Sequence, residues 1–161
     1  MLVLGIDPGT ATTGYGLVSG SGSRLVMEAT GVVKTAAGLD LSTRLLQIHH
    51  EVNQIIDRYQ PDCMAIEELF FNQNAKTFFA VAQSRGAVIL TAAQRGLPVA
   101  EYTPLQVKQA VVGYGRAEKR QIQEMVKRLL NLAAIVKPDD AADALAIAIC
   151  HLHSSRLGGL V

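Results

Sequence analysis

The sequence is poor in the features that mark secreted and membrane-spanning proteins. It has no tryptophan, two cysteines and five prolines among 161 residues. No apolar run approaches the roughly 20 residues that cross a bilayer, and the first residues lack the pattern of a cleavable signal peptide. Cys63 and Cys150 stand alone, without metal-binding spacing, so each is predicted to be a small buried hydrophobe in a reducing compartment. We therefore expect a cytoplasmic protein with no membrane segment and no disulfide.

An excess of either charge is also missing. Fifteen lysines and arginines face 14 acids, a net charge of +1, and 49% of the residues are apolar. This composition predicts one compact domain over residues 1–156 and a frayed tail at 157–161. Near-neutrality at first argues against a polyanionic partner. However, seven bases face three acids between residues 101 and 137, and this basic flank is suited to binding phosphates.

Acidic residues stand at the margins of the predicted core. Asp7 ends an apolar run and precedes a Pro-Gly pair that stops the strand, and Glu67 ends a second apolar run in the same way. Asp143 lies in an otherwise uncharged, alanine-rich helix, where an unpaired carboxylate is costly to bury. Asp140 is three residues earlier and shares its face. A hard divalent cation would hold such carboxylates together and offset their repulsion.

The periodicity of apolar residues predicts the remaining elements. They are strands at 2–7, 14–19, 24–33, 63–67 and 98–102, and helices at 41–59, 75–94, from 104, around 122–130 and from 139. Ser42 is expected to cap the 41–59 helix, and Asp139 to cap the last one. The helix around 122–130 is expected to direct Lys119, Arg120, Gln123 and Lys127 outward. The order predicts an α/β domain of RNase H-like fold, a five-stranded mixed sheet flanked by helices.

Two aromatic residues, Phe70 and Phe71, follow the strand that ends at Glu67. Aromatic side chains in this place can close the core. Alternatively, at least one of them projects and stacks on nucleic acid bases or wedges between them. The pattern leaves both interpretations open.

Five motifs in order resemble the RuvC family of bacterial Holliday junction endonucleases. They are Gly5-Ile6-Asp7-Pro8-Gly9, Ala65-Ile66-Glu67, Gln106-Val107-Lys108-Gln109, Ala117-Glu118-Lys119 and Asp140-Ala141-Ala142-Asp143-Ala144-Leu145-Ala146. Their spacing is similar to that of the family over nearly the whole chain. The residues that flank each acid show that Glu67 and Asp140, and not the neighbouring Glu68 and Asp139, correspond to the acids of the family motifs.

The resemblance implies a role for seven residues. Asp7, Glu67, Asp140 and Asp143 correspond to the catalytic carboxylates that bind magnesium or manganese, Lys108 and Lys119 to the lysines near the scissile phosphate, and Phe70 to the aromatic that stacks on a base at the junction centre. No catalytic residue of the family is missing. We expect two cations in each site, acting on one phosphodiester bond.

The resemblance also implies how such a site is used. Resolving a four-way DNA junction takes two symmetric nicks, each leaving a 5′-phosphate and a 3′-hydroxyl. A two-fold homodimer follows from that task, and the helix at 75–94, with Phe78, Phe79, Val81 and Ile89, is the expected interface. Branch-migration partners of the RuvA and RuvB type are implied in the same way.

Three other functions compete with this interpretation. Asp7-Pro8-Gly9-Thr10 resembles the first phosphate loop of ATP-binding proteins of the actin and sugar-kinase type, but those close two lobes around nucleotide and this chain has room for one. A protein that only binds junctions leaves the embedded Asp143 unexplained. A ribonuclease H or an RNA-processing relative shares the site chemistry, so only the lysine motifs and Phe70 favour the junction.

Overall fold

The computed structural model describes residues 1–21, 23–70 and 74–158. In chain order its elements are β1 (Leu2–Asp7), β2 (Thr12–Ser21), β3 (Arg24–Lys34), α1 (Leu41–Tyr59), β4 (Cys63–Glu67), α2 (Ala75–Gln94), β5 (Val99–Tyr102), α3 (Pro104–Val112), α4 (Lys119–Leu129) and α5 (Asp139–Gly158). Type and order agree with the prediction. Helix α5 continues two residues into the predicted tail, and 159–161 lie outside the described residues.

The five strands form one mixed sheet in the order β3-β2-β1-β4-β5, which confirms the predicted architecture. The first three strands are an antiparallel meander, and β4 and β5 continue the sheet in parallel with β1. Ile6 lies opposite Ile66 across the parallel β1–β4 pair. Asp7 and Glu67 therefore end neighbouring strands at the same edge of the sheet.

Helices cover both faces of the sheet. On one face α3, α4 and α5 enclose a core cluster that includes Val3, and on the other face α1 and α2 enclose a second cluster that includes Leu4. Adjacent residues of β1 thus belong to opposite layers, as strand alternation requires. Within the described ranges, none of the helices combines the length and hydropathy of a bilayer-spanning segment.

Glycines in β1 and β2 let α5 approach the sheet closely. A Cβ atom on Gly5 would lie 2.0 Å from the Ala144 carbonyl oxygen, and one on Gly14 would lie 2.0 Å from the Asp140 carbonyl oxygen. Either contact is far inside van der Waals separation, so a larger residue would push α5 away. This close approach places the start of α5 directly over the ends of β1 and β2.

Two local predictions were wrong. Asp40, not Ser42, is the N-cap residue of α1, and the Ser42 hydroxyl hydrogen-bonds to the Asp40 carboxylate instead. Gln123 does not face outward: it is 7% exposed, and its Nε2 donates to Asp139 Oδ1 at 3.1 Å. The start of α5 supplies the partner that makes this buried amide tolerable.

Candidate active site

Strand alternation directs two acids toward the same face of the sheet. Val3 packs in the α5 layer and Asp7 is four residues later, so Asp7 is on that face. Ala65 packs in the same layer and Glu67 is two residues later. The parallel pairing of β1 and β4 then places the two carboxylates side by side beneath α5.

Five of the seven predicted residues line one cavity of about 200 Å³. Asp7 and Glu67 come from the strand ends, Asp143 from α5, Lys108 from α3 and Lys119 from α4. The other lining side chains are apolar. Three carboxylates and two ammonium groups therefore meet in a small space, and each comes from a different one of five elements.

Asp7 is the most perturbed of these acids. Its pKa is raised from 3.8 to about 7, first because the carboxyl group is buried. The charges of Asp143, Glu67 and Asp140 raise this pKa further, in that order, and Lys119 opposes them. The carboxyl group of Asp7 therefore exchanges its proton near neutral pH when no cation offsets its neighbours.

Glu67 and Asp143 are perturbed in the same direction. Burial raises the pKa of Glu67, the charge of Asp143 adds to the effect, and Lys108 lowers it. Burial also raises the pKa of Asp143, against the charge and hydrogen bond of Lys119. Each acid thus has a lysine beside it, and in neither case does that lysine fully offset the cost of burying the charge.

Lys119 bridges the cavity and the start of α5. Its Nζ lies 3.2 Å from Asp143 Oδ2 and 3.4 Å from Asp139 Oδ2. Burial works against the charge of Lys119, but Asp143 and Asp139 outweigh it and raise the pKa of the lysine. Asp139, which the sequence predicted as the cap of α5, is the first residue of that helix; it pairs with Lys137 and accepts from Gln123. Lys119 is a cation held beside the carboxylates.

Asp140 borders the neighbouring groove instead of the cavity. That groove is lined by residues 9–12, Arg44, the first turns of α2 and Asp140. The charge of Asp140 still raises the pKa of both Asp7 and Asp143. All four predicted acids therefore form one electrostatic cluster, in which Asp140 stands at the boundary between two depressions.

Phe70 lies outside the cavity, on the segment between β4 and α2. Its side chain is 56% exposed, so Phe70 does not close the core. Phe71 lies outside the described residues. Of the two interpretations of this pair, the exposed ring is compatible with stacking on a base.

The donor set suits a hard divalent cation. Magnesium and manganese prefer oxygen ligands. Burial and the neighbouring carboxylates raise the pKa of Asp7, so a bound cation would stabilise its charged form. Across the described ranges, no three acidic, imidazole or thiol side chains are already arranged to hold an ion. Lys119 accounts for part of this, because Asp143 is turned toward its ammonium group.

Sequence patterns did not predict the contacts of Arg85 at this site. Arg85 of α2 donates from Nε to the backbone carbonyl of Glu67 at 3.1 Å and pairs with the Glu101 carboxylate on β5. Its side chain is only 17% exposed. Arg85 therefore ties α2 and β5 to the residue that carries the Glu67 carboxylate. Its only sequence signal is a lone arginine on an otherwise uncharged stretch of α2.

Comparison with known proteins gives the family. The sequence model described as "Crossover junction endodeoxyribonuclease RuvC" matches residues 3–151. The chain belongs to the RuvC family. Among RuvC relatives, that of Syntrophomonas wolfei is 57% identical over 161 residues, covering 100% of this chain and 94% of the relative. That of Desulfitobacterium hafniense is 58% identical over 163 residues, covering 99% of each chain.

Solved structures agree with the family assignment. Thermus thermophilus RuvC superposes with a TM-score of 0.91 at 38% identity, covering 98% of this chain and 97% of that one. The same protein in complex with a Holliday junction substrate gives 0.94 at 38% identity, covering 98% and 96%. The yeast mitochondrial resolvase Ydc2 shares the fold at 15% identity, with a TM-score of 0.68 and coverage of 98% and 82%. The predicted RNase H-like fold is thereby confirmed.

Proposed function

We propose that this protein is a DNA endonuclease that resolves four-way Holliday junctions during recombination and repair. The single observation that carries the proposal is the cavity where Asp7, Glu67 and Asp143 meet Lys108 and Lys119. Membership of the RuvC family names the reaction class, and a relative at 38% identity is solved with a Holliday junction. The reaction is hydrolysis of a phosphodiester bond.

The four acids would hold the divalent metal that the RuvC family uses. We propose Mg²⁺, with Mn²⁺ able to substitute, and two ions for each site, bound by Asp7, Glu67, Asp140 and Asp143. A divalent metal held by these residues would supply activation of a water molecule and stabilisation of charge on the attacking and leaving oxygens. The Asp7 carboxyl group is largely buried, so charge interactions at this ligand would be stronger than at an exposed carboxylate.

Lys119 and Lys108 supply positive charge from the protein itself. The side chain of Lys119 is 56% exposed and that of its partner Asp143 is 34% exposed, so solvent screens this pair and breaking it costs about 1 kcal/mol. We propose that the ammonium group moves from Asp143 to a non-bridging oxygen of the scissile phosphate when DNA and metal bind. Lys108, on the opposite wall beside Glu67, contacts the same phosphate. No histidine base is required in this scheme.

Phe70 supplies structure selectivity in this scheme. An exposed ring beside the strand end that carries Glu67 is placed to stack on a base that has lost its own neighbour. Bases at the centre of a four-way junction have lost neighbours in this way, whereas bases in a continuous duplex have not. We propose that stacking on Phe70 aligns the junction centre with the cavity.

Two nicks require two sites, and we propose a two-fold homodimer formed through α1 and α2. These helices expose Leu46 at 64%, Phe79 at 63% and Leu90 at 56%. A shallow groove lined by Leu45, Leu46 and Leu90 runs between the two helices. Ile89, expected at this interface, packs against the core instead. Self-complementary apolar patches of this kind are what a two-fold interface needs.

Three further parts of the proposal concern the protein in its cell. Residues 1–156 act as one nuclease domain, in which the acids of β1, β4 and α5 share a single core. The protein acts in the cytoplasm on chromosomal junctions. A branch-migration complex of the RuvA and RuvB type delivers the junction to it.

One experiment separates this function from its alternatives. A synthetic four-way junction, a matched duplex, an RNA–DNA hybrid and ATP are each incubated with the protein, with and without Mg²⁺. We expect paired symmetric nicks in the junction alone, only with metal. Asp7→Asn should abolish cleavage and retain junction binding, because the fold and the lysines remain. ATP turnover, or hybrid cleavage that exceeds junction cleavage, contradicts the proposal.

A further inference from the structure

We infer that the groove beside Asp140 binds a second backbone phosphate of the junction, adjacent to the one that is cut. The inference rests on the proposed endonuclease function. We refer to this depression as the Arg44 groove; it is lined by Thr10, Thr12, Arg44, Lys76, Thr77 and Asp140, among others. Asp140 lines this groove, and its charge acts on Asp7 in the neighbouring cavity. A DNA strand that crosses the acids can therefore continue into this groove without leaving the surface.

The Arg44 groove contains two cations that form no ion pair within the part of the chain that the structure describes. Arg44 and Lys76 take part in none of the ion pairs between described residues. Arg44 is half-buried, and its Nε donates to the Thr35 hydroxyl at 2.8 Å. That bond leaves the terminal nitrogens of the guanidinium group for a ligand, and a guanidinium fork matches two oxygens of one phosphate.

Lys76 is in a place that a lysine ordinarily disfavours. It belongs to the first turn of α2, which contains no acidic residue. The amino end of a helix carries partial positive charge, so a cation there is repelled and an anion is attracted. A bound phosphate would satisfy the helix end and Lys76 together. Apart from Asp140, the charged side chains that line the groove are positive, and the end of α2 adds to them, so the groove suits an anionic ligand.

Hydrogen bonds make the groove rigid before any ligand arrives. The Thr10 hydroxyl donates to the Ala80 carbonyl at 2.8 Å and lies 2.8 Å from the fully buried Ser84 hydroxyl, which fixes the loop against α2. The Thr35 hydroxyl donates to the Thr10 carbonyl at 2.5 Å and accepts from Arg44. One relay therefore sets both the loop and the guanidinium group, which lowers the entropy lost on binding.

The position of the groove identifies which phosphate it takes. Lys108 and Lys119 reach the acids from α3 and α4, whereas the Arg44 groove lies toward α1 and α2. Phe70 precedes α2 in the chain, and the exposed apolar face of α2 is our proposed dimer interface. A phosphate in the groove therefore lies on the side of the cut that is nearer the junction centre. This grip adds to structure selectivity, since the strand must turn there.

Neutral phosphates test the inference directly. Junctions are made with single methylphosphonate linkages at successive positions on either side of the cleavage site, and binding is measured without divalent metal so that no strand is cut. We expect one junction-side linkage to weaken wild-type binding by about 3- to 10-fold, because it removes a charge-assisted contact. Lys76→Gln and Arg44→Gln should bind the unmodified junction more weakly and lose the extra penalty at that linkage. Each should lower the slope of log affinity against log salt by about 1.

Two further variants control the comparison. Arg24→Gln makes the same change at the β2–β3 turn, at the opposite end of the sheet, and should keep both the linkage penalty and the salt slope. Thr35→Val releases Arg44 from its hydrogen bond while keeping the charge, and should keep the salt slope. The inference is wrong if Lys76→Gln and Arg44→Gln keep the wild-type penalty at every linkage. Failure of the proposed function would show separately, as wild-type protein that does not cut the junction with Mg²⁺.

Discussion

Replacing Asp7 with asparagine should stabilise the metal-free protein while removing its activity. The substitution keeps the shape of the side chain and deletes a charge that is disfavoured first by burial and then by repulsion from Asp143, Glu67 and Asp140. A pKa raised from 3.8 to about 7 corresponds to about 4 kcal/mol at 1.36 kcal/mol for each unit. This figure is a ceiling, because water and side chains relax around the charge. We expect a gain of about 2 kcal/mol at pH 8.

The gain should depend on pH in a defined direction. Below pH 3.8 the carboxyl group of Asp7 is protonated in both states, so its pKa shift has no effect on stability. Between 3.8 and about 7 the folded state keeps the proton and the unfolded state releases it, so wild-type stability falls as pH rises. Above about 7 the penalty is constant. Asparagine does not titrate, so Asp7→Asn should exceed wild type by a margin that grows from pH 4.5 to pH 8.

Thermal unfolding in the presence of a chelator measures this margin. For a chain of this length 1 kcal/mol shifts Tm by about 2–4 °C, so we expect Asp7→Asn to melt about 4–8 °C higher at pH 8 and about level at pH 4.5. Asp139→Asn is the control of opposite sign, because Lys137 and then Lys119 lower the pKa of Asp139. It should give no gain. Equal or lower Tm for Asp7→Asn at pH 8 would refute the account of a repulsive carboxylate cluster.

Three other variants test separate parts of the structure. Gly14→Ala should lower stability by about 1–3 kcal/mol and abolish cleavage, because its Cβ would lie 2.0 Å from the Asp140 carbonyl oxygen. Gly38→Ala is the control, because a Cβ there meets nothing within 4 Å, and it should change neither stability nor cleavage. Equal melting temperatures of the two variants would contradict the close approach of α5. Arg85→Lys removes the Nε donor to the Glu67 carbonyl. The maximal single-turnover rate constant should therefore fall about tenfold with the half-saturating enzyme concentration nearly unchanged, and an effect confined to the half-saturating concentration would exclude a positioning role. Phe70→Ala should weaken junction binding by about 1–3 kcal/mol. Its Tm should be unchanged, because the ring is 56% exposed, and a large fall in Tm would show instead that the ring contributes to the core.

The architecture followed from the sequence because its apolar periodicity is strong. Alternation and turns gave the strands, helical spacing gave the helices, and parallel strands necessarily brought Asp7 and Glu67 to one edge. Helix boundaries and caps were predicted less accurately than the elements themselves. Helix α1 begins after Asp40, and the sequence pattern alone did not show that Asp40, and not Ser42, is the N-cap residue.

The contacts of the site depended on elements far apart in the sequence. The periodicity of its own helix predicted an outward side chain for Gln123. The side chain instead donates to Asp139, which the start of α5 brings close to it. Arg85 carried no motif, since its two partners belong to β4 and β5. Helical spacing made Asp140 and Asp143 neighbours, yet they border different depressions. Residue types and the apolar faces of helices and strands follow from the sequence pattern, but the contacts between elements that are distant in sequence do not.

The sequence by itself determined the fold class, the order of elements and the set of acids, lysines and aromatics available for chemistry, because these depend on local periodicity and residue type. The tertiary structure decided the burial of Asp7, the pairing of Lys119 and the position of the Arg44 groove. The burial of Asp7 follows from the close contact of α5 with β1 and β2, and the pairing of Lys119 from the position of α4 beside α5. The Arg44 groove lies between the loop after β1, α1, α2 and Asp140. Electrostatic energy depends on distance and desolvation, and neither exists until separate elements pack together.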